Sequence, residues 1–177
     1  TASAEADAEA GQQAGGMQAD NSLAKWQAEE TEPDDGQKRK VYLTFDDGPS
    51  SNTDAILDIL KQYDVKATFF VTGKPQEQYK EMYQRIVEEG HTLGMHSYSH
   101  KYDEIYASEE AFEEDLSRLQ DFLYDTTGVW SHFYRFPGGS SNQVSKVDIQ
   151  DLIAYLNEEG IVYFDWNSLS GDAVDAS

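Results

Sequence analysis

From Lys38 onward, five short β-rich runs alternate with four stretches of helical periodicity, with little chain left over between them. The runs are Val41 to Phe45, Ala67 to Val71, Thr92 to Met95, His132 to Phe136 and Ile161 to Phe164. Between them, apolar side chains recur at helical spacing: Ile56, Leu60 and Tyr63; Tyr79, Met82, Tyr83 and Ile86; Phe112, Leu116, Leu119 and Leu123; Ile149, Leu152, Ile153 and Leu156. Ser108 and Asp148 stand where helix N-caps belong. Gly90, Gly128 and Gly160 stand where a left-handed residue can end a helix or the loop after it. The order βαβαβαβαβ predicts an α/β fold with a parallel sheet and crossover helices. An open doubly wound sheet and a barrel both fit.

Parallel strands point one way, so their carboxyl ends share a face, and on such folds that face carries the active site. Four runs able to do chemistry fall there: TFDDGP (Thr44 to Pro49), HSYSH (His96 to His100), RFPGGS (Arg135 to Ser140) and the pair Asp165 and Trp166. Their convergence points to a metal-dependent hydrolase more than to packing alone. Asp46 and Asp47 are neighbours, so an extended backbone sends them in different directions, and two like charges in one site push their pKa values apart. One can bind a metal while the other takes a proton or faces substrate. Gly48-Pro49 reads as an ordinary turn, and the D-x-D spacing of an aspartyl phosphatase is absent.

His96 and His100 are four apart and share a face if the chain turns helical after the third strand. Alone they are equally two surface histidines. Joined by an Asp from a neighbouring strand end they become two imidazoles and a carboxylate with open positions, a catalytic arrangement for Zn²⁺ or a similar divalent ion. Arg135 can hold a catalytic carboxylate ionised through a bidentate contact. In Phe136-Pro137-Gly138-Gly139 the backbone can approach a ligand closely and aim an N–H at a developing oxyanion. Trp166 reads as a sugar-facing wall or as core, and Tyr98 as a substrate contact or an exposed loop residue. His91 and His132, at strand starts, read as structural.

The formal net charge is -21, and no basic cluster exceeds Lys38-Arg39-Lys40. That excludes the footprint needed for nucleic acid and disfavours an anionic membrane surface. Residues 1–38, rich in Ala, Glu, Gln and Gly with Met17, Leu23 and Trp26 as their large apolar groups, are expected to form a disordered acidic linker. Residues 39–177 are then the folded domain. Without cysteine there is no disulfide or thiolate ligand, and no run of about 18 apolar residues spans a bilayer. No signal peptide is recognisable, but the chain starts at Thr1, so an upstream segment, able to carry a signal or anchor, is expected to be missing. A monomer at an extracellular or cell-surface location is expected.

TFDDGP, HSYSH, RFPGGS and the DW pair, in that order, resemble the polysaccharide deacetylase family, the NodB-homology or carbohydrate esterase family 4 domain. The resemblance covers Lys38 to the C-terminus. It implies a distorted (β/α) barrel, here incomplete with five of about seven β/α units, and one divalent metal, Zn²⁺ first and Co²⁺ or Ni²⁺ as alternatives. It further implies Asp46 as general base, Asp47, His96 and His100 as metal ligands, Arg135 as the residue orienting the base, Gly138 as the oxyanion-hole backbone and Trp166 as a groove wall. Pro137 and Tyr98 join Trp166 as substrate contacts, and Asp165 joins the catalytic set. The implied substrate is an acetylated polysaccharide, N-acetylglucosamine polymers such as peptidoglycan or chitin first, with O-acetyl xylan or small cyclic amides as alternatives. The family's closing Leu-x-His is missing, since no His follows His132. A C-terminally truncated domain is therefore expected, with an inactive glycan-binding form as a further alternative and with Asp165 or Asp172 as the partner of the missing His.

Overall fold

The computed structural model describes residues 40–168. The expected linker over 1–38 and Asp172 lie outside the described residues. The elements run β1 (Thr44–Gly48), α1 (Thr53–Gln62), β2 (Thr68–Thr72), α2 (Glu77–Glu88), β3 (Thr92–Ser97), α3 (Tyr102–Ile105), α4 (Glu109–Thr127), β4 (Phe133–Tyr134), α5 (Ile149–Glu158) and β5 (Val162–Tyr163).

All five strands are parallel and lie side by side in chain order, β1-β2-β3-β4-β5. A doubly wound sheet reverses its order at a switch point. No reversal occurs among the described residues, so the winding is that of a barrel wall. A cross-sheet contact shows the curl. On a flat sheet β1 and β4 would lie about 14 Å apart, three steps of roughly 4.8 Å. Yet Arg135, one residue past β4, reaches Thr44 Oγ1 at 2.7 Å and Asp46 Oδ1 at 2.9 Å on β1.

The helices form where the periodicity places them. Ser108 Oγ accepts the Ala111 N–H at the start of α4, and Gly128, at φ 74°, closes its end. The row Phe112, Leu116, Leu119 and Leu123 is fully buried against Met95 and Tyr134 in one core cluster. Asp148 Oδ1 caps α5 through the Gln150 N–H. In α1 the inward row is Thr53, Leu57 and Leu60, whereas Tyr63, expected on it, is 70% exposed because it stands past the last turn. Inside the sheet, a Cβ on Gly94 would come within 2.6 Å of the Phe70 ring. Glycine is needed there to let that ring lie across β3.

Three strand expectations shift. β1 begins at Thr44, not Val41, because β2 offers its first partner at Thr68, leaving Val41 80% exposed. Asp46 and Asp47 therefore belong to the strand instead of following it. β3 continues through His96 to Ser97. β4 and β5 shorten to two residues each, although Arg135 N–H to Met95 O and Phe164 N–H to Tyr134 O extend the pairing. The four-residue α3 has no counterpart in the periodicity. No helix among the described residues is long and apolar enough to cross a membrane.

His91, expected to be structural, is buried at the head of β3, and its Nδ1 accepts the Ala67 N–H at 3.2 Å. Burial pushes its pKa below the ordinary 6.5 because the charged form loses hydration. The fold thus holds the ring neutral, and the stability tied to it is present above pH 6.5 and lost as pH falls toward the depressed value. His91→Phe leaves the Ala67 N–H without its acceptor, at a cost of about 1–3 kcal/mol near neutrality. The advantage of the natural protein over that variant, read from urea midpoints, should shrink between pH 7.5 and 5.5. A difference that does not change with pH would contradict this assignment.

Candidate active site and metal centre

The two adjacent carboxylates are separated by a break in β1. Asp46 pairs with Phe70 of β2 and Gly48 with Val71, so Asp47 is an extra residue in the register, and its φ is +64°. A bulge of this kind re-aims side chains. Asp47 turns toward the histidines, with Oδ1 3.2 Å from His96 Nε2 and 3.1 Å from His100 Nε2. Asp46 turns the other way, to Arg135. The end of β2 holds the break in place: Thr72 Oγ1 donates to the Gly48 carbonyl at 3.2 Å, and Lys74 Nζ donates to the carbonyls of Asp47 and Pro49 at 3.0 and 2.6 Å. Tyr83 in turn donates to the Thr72 carbonyl and accepts the Lys74 N–H. Its burial pushes the Tyr83 hydroxyl far above its usual range, so it remains a donor.

The histidines converge without a helix between them. His96 lies in β3, and the chain reverses tightly so that His100, at φ +53°, swings back until the ring centroids are 5.2 Å apart. His96 is buried, and its Nδ1 lies 2.7 Å from the Arg135 carbonyl. A carbonyl only accepts, so Nδ1 carries a proton, and in a neutral ring Nε2 is then a lone pair. That lone pair faces the Asp47 carboxylate, and two acceptors at 3.2 Å need a cation or a proton between them.

The donor set fits a divalent cation. Asp47, His96 and His100 each offer one ligand atom, all within 4.8 Å of one another. Donors 2.0–2.1 Å from a common tetrahedral centre lie roughly 3.3 Å apart, close to the separations from Asp47 Oδ1. Among these groups alone, hydrogen bonds from His100 and His96 hold the Asp47 carboxyl far below its usual range. The Asp47 carboxylate in turn pushes His100 above 6.5.

Arg135 is 2% exposed and lies between aromatic faces, its guanidinium carbon 4.2 Å from the Phe70 ring centroid and 5.0 Å from that of Trp166. The expected bidentate grip on a carboxylate is a single contact. Nη1 serves Thr44 and Asp46, while Nε donates to the Phe164 carbonyl at 3.1 Å. Gly138 and Gly139 adopt φ of +78° and +80°, a region open to glycine. A side chain at Gly139 would press within 3.1 Å of Trp166. The Gly138 N–H donates to no group among the described residues.

The remaining expected residues are placed less directly. Pro137 is buried, with its carbonyl accepting from the Tyr106 hydroxyl at 2.8 Å, so Gly138 is the turn residue that solvent reaches. Asp165 binds Ser140, accepting its N–H at 3.0 Å and also its hydroxyl, and so ties the Pro-Gly-Gly turn to the end of β5. Trp166 is 38% exposed, so it is not core, and its ring centroid lies 5.0 Å from the Arg135 guanidinium carbon. Tyr98 lines a cavity of about 260 Å³ together with Asp47, Thr72, Lys74 and His100, but its ring also lies against Phe122 and under Arg118. Thr72 and Lys74 have no motif of their own; the one signal for them is that β2 ends on the same face as its neighbours.

The family model for polysaccharide deacetylases matches residues 34–155. The chain is 34% identical over 140 residues to a peptidoglycan-N-acetylglucosamine deacetylase of Bacillus cereus, covering 77% of this chain and 50% of that protein. It is 34% identical to chitin deacetylase 2 of Saccharomyces cerevisiae, covering 76% of this chain and 42% of that one. The crystal structure of the catalytic domain of a peptidoglycan N-acetylglucosamine deacetylase from Eubacterium rectale superposes with a TM-score of 0.71 at 46% identity, covering 75% of this chain and 61% of that one. The chain spans about half the length of the curated relatives it matches. With the acidic bulge, the paired histidines and the buried arginine on one face of a parallel barrel wall, the chain belongs to the polysaccharide deacetylase family.

Proposed function

We propose that this chain carries the metal site and general base of a hydrolase that removes N-acetyl groups from an N-acetylglucosamine-containing polysaccharide, peptidoglycan or a chitin-like polymer. The observation that carries the reading is the division of two adjacent carboxylates, Asp47 to the histidines and Asp46 to Arg135. Relatives named for peptidoglycan and chitin deacetylation support the substrate class, and an extracellular or cell-surface location belongs to the same proposal. Zn²⁺ suits two imidazoles and one carboxylate.

Asp47, His96 and His100 would hold a divalent ion, which would supply Lewis-acid polarisation of the acetyl carbonyl and acidify the attacking water. Arg135 engages Asp46 Oδ1 and leaves Oδ2 as the atom that accepts the water's proton. The Arg135 contact holds Asp46 in place, while the Phe70 and Trp166 faces cover the guanidinium. The Gly138 N–H is directed to the developing oxyanion. As the C–N bond breaks, protonated Asp46 is the group of this chain able to return its proton to the departing amine. Acetate and a free amine result.

Metal binding requires neutral imidazoles. Because Asp47 raises His100 above 6.5, protons compete for the site from the neutral range downward. Zn²⁺ affinity measured by chelator competition should fall at least tenfold from pH 7.5 to 5.5; an affinity independent of pH would contradict the ligand assignment. Acetate release from N-acetylglucosamine oligomers should be abolished by chelators and by loss of both His96 and His100. Asp46→Asn should lower turnover by about 10²–10⁴ with Zn²⁺ affinity retained. Release from acetyl xylan but not from the oligomers would move the reading to ester substrates.

A further inference from the structure

His100 is the more exposed of the two histidines, its side chain 33% exposed against 4% for His96. It lies beyond the end of β3 with a left-handed backbone, φ +53°, a conformation that a non-glycine residue keeps only when its surroundings enforce it. The enforcing group comes from a different element. Asp115, in the second turn of α4, accepts three hydrogen bonds from the reversing loop: Ser97 Oγ at 2.8 Å and the Tyr98 N–H at 2.7 Å on Oδ2, and the Ser99 N–H at 2.9 Å on Oδ1. The Ser97 hydroxyl that donates to Asp115 accepts the His100 N–H at 2.8 Å. One carboxylate thus binds both loop amides before His100 and, through one hydroxyl, the amide of His100 itself.

The same face of α4 adds two further contacts. Arg118 and Phe122 follow Asp115 at i+3 and i+7, positions that share a helix face. The Arg118 guanidinium carbon lies 3.9 Å from the Tyr98 ring centroid, and Phe122 meets that ring edge-on at 5.9 Å. The ring rests over Gly73, where a Cβ would approach it to 2.4 Å. Tyr98 is thereby wedged between α4 and the end of β2, which also carries the Lys74 contact to the Asp47 carbonyl.

We propose that Asp115 is a positioning residue: it folds the Ser97–Ser99 loop so that His100 Nε2 meets the same Asp47 oxygen that faces His96. The inference rests on reading Asp47, His96 and His100 as metal ligands. In the protein, Asp115→Asn keeps the side-chain size but sets an amide NH₂ against hydrogen-bond donors. It should lower Zn²⁺ affinity by about 10–100-fold, the usual effect of losing a group that orients a ligand. It should also speed hydrogen exchange of the Tyr98 and Ser99 amides by about tenfold or more, measured without metal. Asp121→Asn, on the exposed side of α4, should change neither. Zn²⁺ affinity within twofold of the natural protein, or weakened affinity with both amides still protected, overturns the proposal. If Asp115→Asn does not fold, Asp115→Ala, which removes the acceptors without adding a donor, replaces it under the same two criteria. If the natural protein does not bind Zn²⁺, the metal reading itself has failed, and amide exchange alone decides whether Asp115 holds the loop.

Discussion

Arg135 is the residue on which both halves of the site depend. Its guanidinium crosses the interior of the curled sheet to Thr44 and Asp46 on β1, and its backbone carbonyl accepts the proton of His96 Nδ1. The side chain thus fixes the carboxylate assigned as base, while the main chain fixes which nitrogen of His96 faces the metal position. Such a buried charge is tolerated because each contact offsets part of its lost hydration: the Phe164 carbonyl, the Thr44 hydroxyl, the Asp46 carboxylate and two aromatic faces. Removing one partner of a buried pair of this kind costs about 3–5 kcal/mol. Loss of Arg135 would therefore strike the fold and the site together.

A second constraint acts on β1. A regular strand would alternate Asp46 and Asp47 across its two faces; the extra residue at Asp47 instead tips its carboxylate into the end of the barrel, over the histidines. Thr72 and Lys74, at the end of β2, secure that irregularity by binding the carbonyls of Asp47, Gly48 and Pro49. Strand ends matter here as supports as much as carriers of motifs. β2 brings no ligand and no base, yet its terminal residues determine where the ligand from β1 points.

Much of this was legible in the sequence, and the limits have physical causes. Parallel winding and the row Phe112, Leu116, Leu119 and Leu123 follow from periodicity, since an amphipathic helix must bury its stripe. The choice between a barrel and an open sheet did not follow, because strand order is a long-range property; it became visible in the reach of Arg135 to Asp46. Asp46, Asp47, His96, His100 and Arg135 were found because charged and ligating groups at strand ends are poorly explained by packing. Between the histidines a helix was one way to bring them together, but spacing of four fits a tight reversal as well, and Ser97 and Asp115 stabilise the reversal. Asp115 itself was hidden on the exposed-looking side of a helix with many acids, where its sequence neighbours Glu113 and Glu114 look no different. Asp165, singled out for chemistry, also braces the turn at Ser140, a contact with no signal in the sequence.

The division of labour between Asp46 and Asp47 is tested most directly by anomalous diffraction from crystals of the protein soaked in Zn²⁺, recorded on both sides of the zinc absorption edge. The expected result is one strong peak about 2.0–2.2 Å from Asp47 Oδ1, His96 Nε2 and His100 Nε2, with Asp46 outside the coordination sphere and still bound to Arg135. A peak ligated by Asp46, or one located away from the two histidines, would contradict it.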